Sequence, residues 1–159
     1  MNITEKDKEY MREAIRLADE SVKHGGGPFG AVIVRDGEIV AGSANSVTRD
    51  NDPTAHAEVN TIRQACRKLG TFDLSDCVIY TSCEPCPMCL GAIYWAHIKR
   101  IYYGNTKNDA ADIDFADDFI YKELEQHKEN RVVPAIPLLR NEALQTFRAW
   151  EQFQGKTKY

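Results

Sequence analysis

Three of the five cysteines fall in one short run, C-E-P-C-P-M-C, as Cys83, Cys86 and Cys89 at i, i+3 and i+6. Thiols that close together make either a crowded disulfide frame or a soft-metal site. Roughly thirty residues upstream, T-A-H-A-E-V supplies an imidazole, His56, and a carboxylate, Glu58. The N-terminus, M-N-I-T-E-K-D-K-E, is charged and holds no apolar export segment. An odd number of cysteines without an export signal reads as metal binding or catalysis rather than a disulfide frame. Imidazole and thiolate together suit zinc.

Two zinc chemistries compete. His56 with Cys83, Cys86 and Cys89 would make a closed Cys3His site, a structural staple with no position left for chemistry. His56 with Cys86 and Cys89 alone would leave a fourth position open. Three features favour the open site. Cys86 and Cys89 stand i, i+3 at the start of a helix, so both sulfurs face one point, and the helix N-terminus favours their thiolates. Cys83 precedes Glu84-Pro85, where the chain is still leaving a strand. His56 and Glu58 are i, i+2, roughly 200° apart in mid-helix. They can serve one site only off a helix N-terminal end, which Pro53-Thr54 places near His56.

The open position would take one water, whose pKa zinc lowers to roughly 7. Glu58 would take that water's proton, deliver it to a ring nitrogen, and later protonate a departing amine. The reaction class is hydrolytic deamination of an amino-substituted heterocycle, releasing ammonia. Burial beside the site should raise the Glu58 pKa.

The elements that must position these groups follow from the rest of the chain. At 159 residues, 43% hydrophobic and with a net charge of −4, residues 1–159 read as one domain with a full core. The acidic balance argues against holding a long nucleic acid by its phosphates. No apolar run approaches the roughly 20 residues of a membrane span. The protein is expected in the cytoplasm. Thr4 and Asp7 form a capping-box pattern, followed by Tyr10, Met11, Ala14, Ile15, Ala18 and Val22 at helical spacing. Gly25 to Gly27 stops that helix. Phe29 to Val34 and Glu38 to Ala44 read as strands joined at Asp36-Gly37, a two-residue hairpin turn. Asn45 to Asp52 reads as a loop. Helices are expected from near His56 to Leu69, ended by Gly70, and from Cys86 to Ala96 with Pro87 in the first turn. Cys77 to Thr81 and Ile101 to Gly104 read as strands, and their alternation with helices predicts a parallel portion. Asn105 to Asp118 reads as an acidic loop and Phe119 to His127 as a short helix. Val132 to Leu139 holds Pro134 and Pro137, so it is an edge strand or irregular. Glu142 to Phe153 reads as a closing helix. Cys66 and Cys77 read as small core residues.

Beyond the zinc motif, long stretches resemble the bacterial guanine deaminases of the cytidine deaminase superfamily. They are G-G-P-F-G-A-V-I-V, N-D-P-T-A-H-A-E-V, Y-T-S-C-E-P-C-P-M-C-L-G-A-I-Y-W-A, D-A-A-D-I-D-F-A-D-D-F-I-Y-K-E and the closing K-T-K-Y. The resemblance implies an α/β fold, a three-layer α/β/α sandwich on a five-stranded mixed sheet. It implies one Zn2+ per subunit on His56, Cys86 and Cys89, Glu58 as acid and base, and a small purine as partner. It implies a homodimer that exchanges its C-terminal segments, about residues 130–159. Carried over by position, Asn45 binds the purine, Asp117 contacts the guanine edge and helps move protons, and Tyr159 forms part of a lid. Phe29, Ala57 and Trp95 match positions near the base. The chain departs from the family pattern with Asp114 and Ala116 around Phe115. Asp117 is then the best match, with Asp114 and Asp118 as alternatives. Within the superfamily a guanosine deaminase or a tRNA adenosine deaminase shares the zinc motif. The latter needs a basic surface that the charge of −4 does not supply. From another class, the closed Cys3His module remains the rival.

Overall fold

The computed structural model describes residues 2–115 and 117–159. The chain divides into two compact units, residues 1–118 and 119–159.

The first unit begins with α1 (Glu5–Lys23), whose Thr4 and Asp7 form the expected capping box. β1 (Gly30–Arg35) and β2 (Glu38–Ala44) pair antiparallel across Asp36-Gly37. Both turn residues have positive φ, 51° and 81°, the requirement of the two-residue turn that matches strand twist. A short α2 (Val47–Asp50) follows, in a stretch expected to be a loop. α3 (Ala57–Leu69) ends on Gly70 at φ 66°. β3 (Cys77–Cys83), α4 (Pro87–Trp95) and β4 (Ile101–Asn105) form a right-sized βαβ unit, and β3 pairs parallel with β4. A second short helix, α5 (Lys107–Ala111), stands where a loop was expected, started by a Thr106–Asp109 capping box. The carry-over departure at Ala116 lies outside the described residues.

Among the described residues the sheet has four strands, in the order β2-β1-β3-β4, not the five expected. Of the two readings of Val132 to Leu139, edge strand or irregular, the structure has the irregular one. Pro134 and Pro137 each lack the N–H that a ladder needs.

Alternation along the strands gives each sheet face its own core. Val32, Val34 and Tyr80 meet Tyr10 and Ala14 of α1. Ala31, Ile33, Cys77 and Ile79 meet Ala57 and Ala65 of α3 and Ile93 of α4. The first unit is therefore an α/β/α stack, and α3 and α4 lie on one side of the sheet. That shared side brings their N-terminal ends together.

The second unit holds all but the first residue of α6 (Asp118–Glu125), a 3-10 turn at Lys128–Asn130 and α7 (Arg140–Gln152). Arg131 Nε donates to Glu123 O at 3.0 Å, and Val132 N to Glu123 Oε2 at 2.7 Å, which folds the chain back on α6. None of residues 119–159 is buried. Val133, Ile136 and Leu138 are each 78% exposed or more.

Candidate active site

His56 is the N-cap of α3, in extended backbone at φ −70° and ψ 156°. Its side chain therefore leaves the helix end rather than a helix flank, as the i, i+2 argument requires. Glu58 sits in the first turn and is only 6% exposed. Asn60 Nδ2 braces the approach to the helix, donating to Ala44 O, Ser46 Oγ and Ala55 O. Cys86 is the N-cap of α4, Pro87 starts the helix, and Cys89 is buried one turn in. The two sulfurs each lie 3.5 Å from His56 Nδ1.

All three donor atoms lie within 4.8 Å of one another. A tetrahedral ion with bonds of about 2.0–2.3 Å needs ligand atoms about 3.5 Å apart. The set fits zinc in spacing and in donor type. The two thiols share one negative charge, with the thiolate on Cys86 and the proton on Cys89. A hydrogen bond from Cys89, with help from His56, holds Cys86 down to about 4. That same contact, with burial, pushes Cys89 up. The thiolate at Cys86 raises His56 in turn.

Among the described residues Cys83 is outside this donor set. Its Sγ points to Thr106 O at 3.7 Å. Burial, then the charges of Glu58 and Asp117, push its thiol up to about 11. A protonated thiol engaged elsewhere does not close a Cys3His site.

Burial also raises Glu58, with the Cys86 thiolate adding to it. Thr81 Oγ1 donates to Glu58 Oε1 at 3.2 Å. Burial raises Asp117 as well, and Cys86 is the next cause, so this carboxyl lies within the field of the zinc ligands. Its Oδ1 is buried and has no hydrogen-bond partner among the described residues. A buried acceptor left unpartnered is costly, and that cost is recovered when a ligand donates to it.

Asn45 follows β2. Its Oδ1 accepts from Val47 N at 3.2 Å, which leaves the Nδ2 end as the donor it can offer a ligand. Ser21 Oγ donates to Asn45 O at 3.3 Å, and Asn45 N to Phe29 O at 2.9 Å. A Cβ at Gly27 would stand 3.2 Å from Asn45 Cγ, so a side chain there would press on Asn45. Phe29 meets Phe115 edge-on, rings 4.9 Å apart at 90°. Ala57 is fully buried at the first position of α3, where backbone N–H groups have no intrahelical partner. Trp95 ends α4 and is 65% exposed. Tyr159 is exposed at the end of the second unit. Asp114 is exposed and sits at φ 69°, in the left-handed region.

Two contacts escaped sequence reasoning. Thr81 could have been suspected as a hydroxyl on the core-facing side of an apolar strand. Phe115 gave no signal, since its neighbours are acidic.

The profile of the cytidine and deoxycytidylate deaminase zinc-binding region matches residues 4–105. The guanine deaminase of Bacillus subtilis (strain 168) is 53% identical over 151 residues, 94% of this chain and 97% of that protein. The chain belongs to the guanine deaminase family. The crystal structure of the Bacillus subtilis guanine deaminase superposes with a TM-score of 0.93 at 51% identity, over 100% of this chain and 99% of that one. By contrast, the tRNA-specific adenosine deaminase of Bacillus subtilis is 40% identical over 98 residues, 62% of this chain and 61% of that protein. Of these two relatives, the guanine deaminase matches nearly the whole chain and the tRNA deaminase about three fifths of it.

Proposed function

We propose that the protein hydrolyses guanine to xanthine and ammonia, in the cytoplasm. The observation that carries this reading is the meeting of two helix N-termini, which sets a buried Glu58 beside the His56, Cys86 and Cys89 cluster. Zinc, when bound there, supplies Lewis acidity and lowers the pKa of a water ligand to roughly 7.

The chain's own residues do the rest. Glu58, its proton affinity raised by burial, passes one proton of the attacking water to the purine ring as the oxygen bonds to the amino-bearing carbon, and the second to the amine as its C–N bond breaks. Asp117 accepts from the guanine N1–H and amino group, which its unpartnered Oδ1 supports. That acceptor pair discriminates guanine from adenine and cytosine, because a wrong base leaves buried polar groups unpaired. Asn45 donates to a ring acceptor through Nδ2, and the N–H of Ala57 adds a second donor. Phe29 and Trp95 flank the base. Asp117 is favoured over Asp114 by burial, and over Asp118 by its unpartnered oxygen.

The working form is a homodimer with exchanged C-terminal segments, about residues 130–159. Two features support this. β4 is an outer strand with no further strand beside it among the described residues. The apolar side chains of residues 132–139 are uncovered and need a partner surface. In the exchanged dimer Tyr159 of one subunit closes the site of the other.

Ammonia release is measured with zinc-loaded protein offered guanine, guanosine, adenine, cytosine and cytidine side by side. Turnover of guanine alone is expected. Turnover of guanosine keeps the mechanism but shows a pocket that admits a ribose. Silence on all five, with one zinc per chain, overturns the reading.

A further inference from the structure

Thr81 is a buried hydroxyl at a place where the fold asks for a hydrocarbon. It lies on β3 between Ala31 of β1 and Tyr103 of β4, its paired neighbours in the sheet. Along β3 the alternation puts Cys77 and Ile79 into the core against α3. Thr81 is the next residue on that side, only 1% exposed. A valine would fill the same volume without desolvating a hydroxyl. Among the described residues the hydroxyl's hydrogen bond goes to Glu58 Oε1 at 3.2 Å.

Glu58 needs such a contact. Its backbone is fixed by α3, but a glutamate has three rotatable side-chain bonds, and a carboxyl can turn about the last of them. The carboxyl also lies beside Cys89, whose thiol donates toward it as the Thr81 hydroxyl does from the sheet. With Oε1 tied to β3, the carboxyl plane is fixed between a rigid strand and the cluster of His56, Cys86 and Cys89. Proton transfer needs donor and acceptor within about 2.6–3.2 Å, so a carboxyl free to rotate loses productive geometry.

We infer that Thr81 is a positioning residue for Glu58, holding one carboxyl oxygen from the sheet so that the other serves the reacting atoms. This rests on Glu58 as the proton carrier. The prediction concerns orientation, so substrate affinity should be spared.

The test compares Thr81→Val, which keeps shape and removes the hydroxyl, with Thr81→Ser, which keeps the hydroxyl. In Thr81→Val, kcat on guanine should fall about 10- to 100-fold, the range for removing a partner that orients an active group, with KM within about threefold. Thr81→Ser should recover most of kcat. Zinc content and melting temperature should hold in both. A second readout does not depend on turnover. The infrared band of the Glu58 carboxyl, isolated by subtracting the Glu58→Gln spectrum, should shift in Thr81→Val and return in Thr81→Ser. If valine prevents folding, Thr81→Ala against Thr81→Ser makes the same comparison. The inference is overturned if Thr81→Val keeps kcat within about twofold, if the loss lies in KM alone, or if serine is no better than valine. If Glu58→Gln itself remains active, Glu58's role falls and this inference with it. If Glu58→Gln is inactive and Thr81→Val is unimpaired, only the positioning role falls.

Discussion

Replacing Asp117 with alanine should separate catalysis from stability. The side chain is half-buried, burial raises its pKa, and its buried Oδ1 has no partner among the described residues. In the proposed guanine complex the carboxylate would accept two hydrogen bonds, from N1–H and from the amino group. Hydrogen bonds to a charged group contribute about 1.5–3 kcal/mol each. Losing both removes about 3–6 kcal/mol from the transition state, or about 10²- to 10⁴-fold in kcat/KM at 1.36 kcal/mol per decade. Asp117→Asn should suffer similarly, since its amide presents a donor to guanine's donors. The free protein loses little, because the buried oxygen had no partner to lose. Melting temperature should stay level or rise, the pattern of a group retained for function at a cost in stability. The assay is steady-state ammonia release on guanine, with zinc content and thermal melting measured on the same preparations. A kcat/KM within about threefold of wild type refutes the assignment. So does a drop in melting temperature that accounts for the lost activity.

Three further outcomes are expected. Cys83→Ser should keep one zinc per chain and most activity, because Cys83 Sγ is engaged with Thr106 O, whereas Cys86→Ser should lose zinc; elemental analysis after desalting decides between them. Asp7 is held below its ordinary carboxyl value of 3.8, first by the Thr4 hydroxyl and then by Tyr80 OH. A lowered folded pKa gives stability that is present above 3.8 and lost as pH falls through the folded value. The gap in urea stability between wild type and Asp7→Asn should therefore be widest near neutrality and shrink below about pH 4, and a gap independent of pH contradicts it. Finally, a Tyr159 deletion mixed with Glu58→Gln should regain activity once mixed dimers form. No recovery after proven subunit exchange counts against the exchanged tail.

The zinc site was legible because its chemistry sits at helix starts that carry their own signals. Pro87 marks the first turn of α4 and so fixes Cys86 and Cys89 on one point. His56 and Glu58 could share a site only off a helix end, and His56 proves to be the N-cap of α3. The hairpin at Asp36-Gly37 was equally plain, since both residues tolerate positive φ. Short helices were not. α2 has four residues and α5 five, too few to display a period. The Thr106–Asp109 box that starts α5 was hidden in an acidic run. The four strands were read from the residues themselves, and the fifth was expected only from the resemblance. Pro134 and Pro137 had already signalled that Val132 to Leu139 would supply too few backbone donors for a ladder. Thr81 and the orientation of Asn45 depend on contacts between residues far apart in sequence, Glu58 in one case and Ser21 and Phe29 in the other. No local pattern encodes those.

The most direct test of the account is zinc content and ammonia release from guanine, measured together on wild type and Glu58→Gln. Glu58 is not among the donor atoms of the His56, Cys86 and Cys89 cluster. The account predicts one zinc per chain in both proteins and turnover in wild type alone. Loss of zinc from Glu58→Gln, or guanine turnover that survives the substitution, would contradict it.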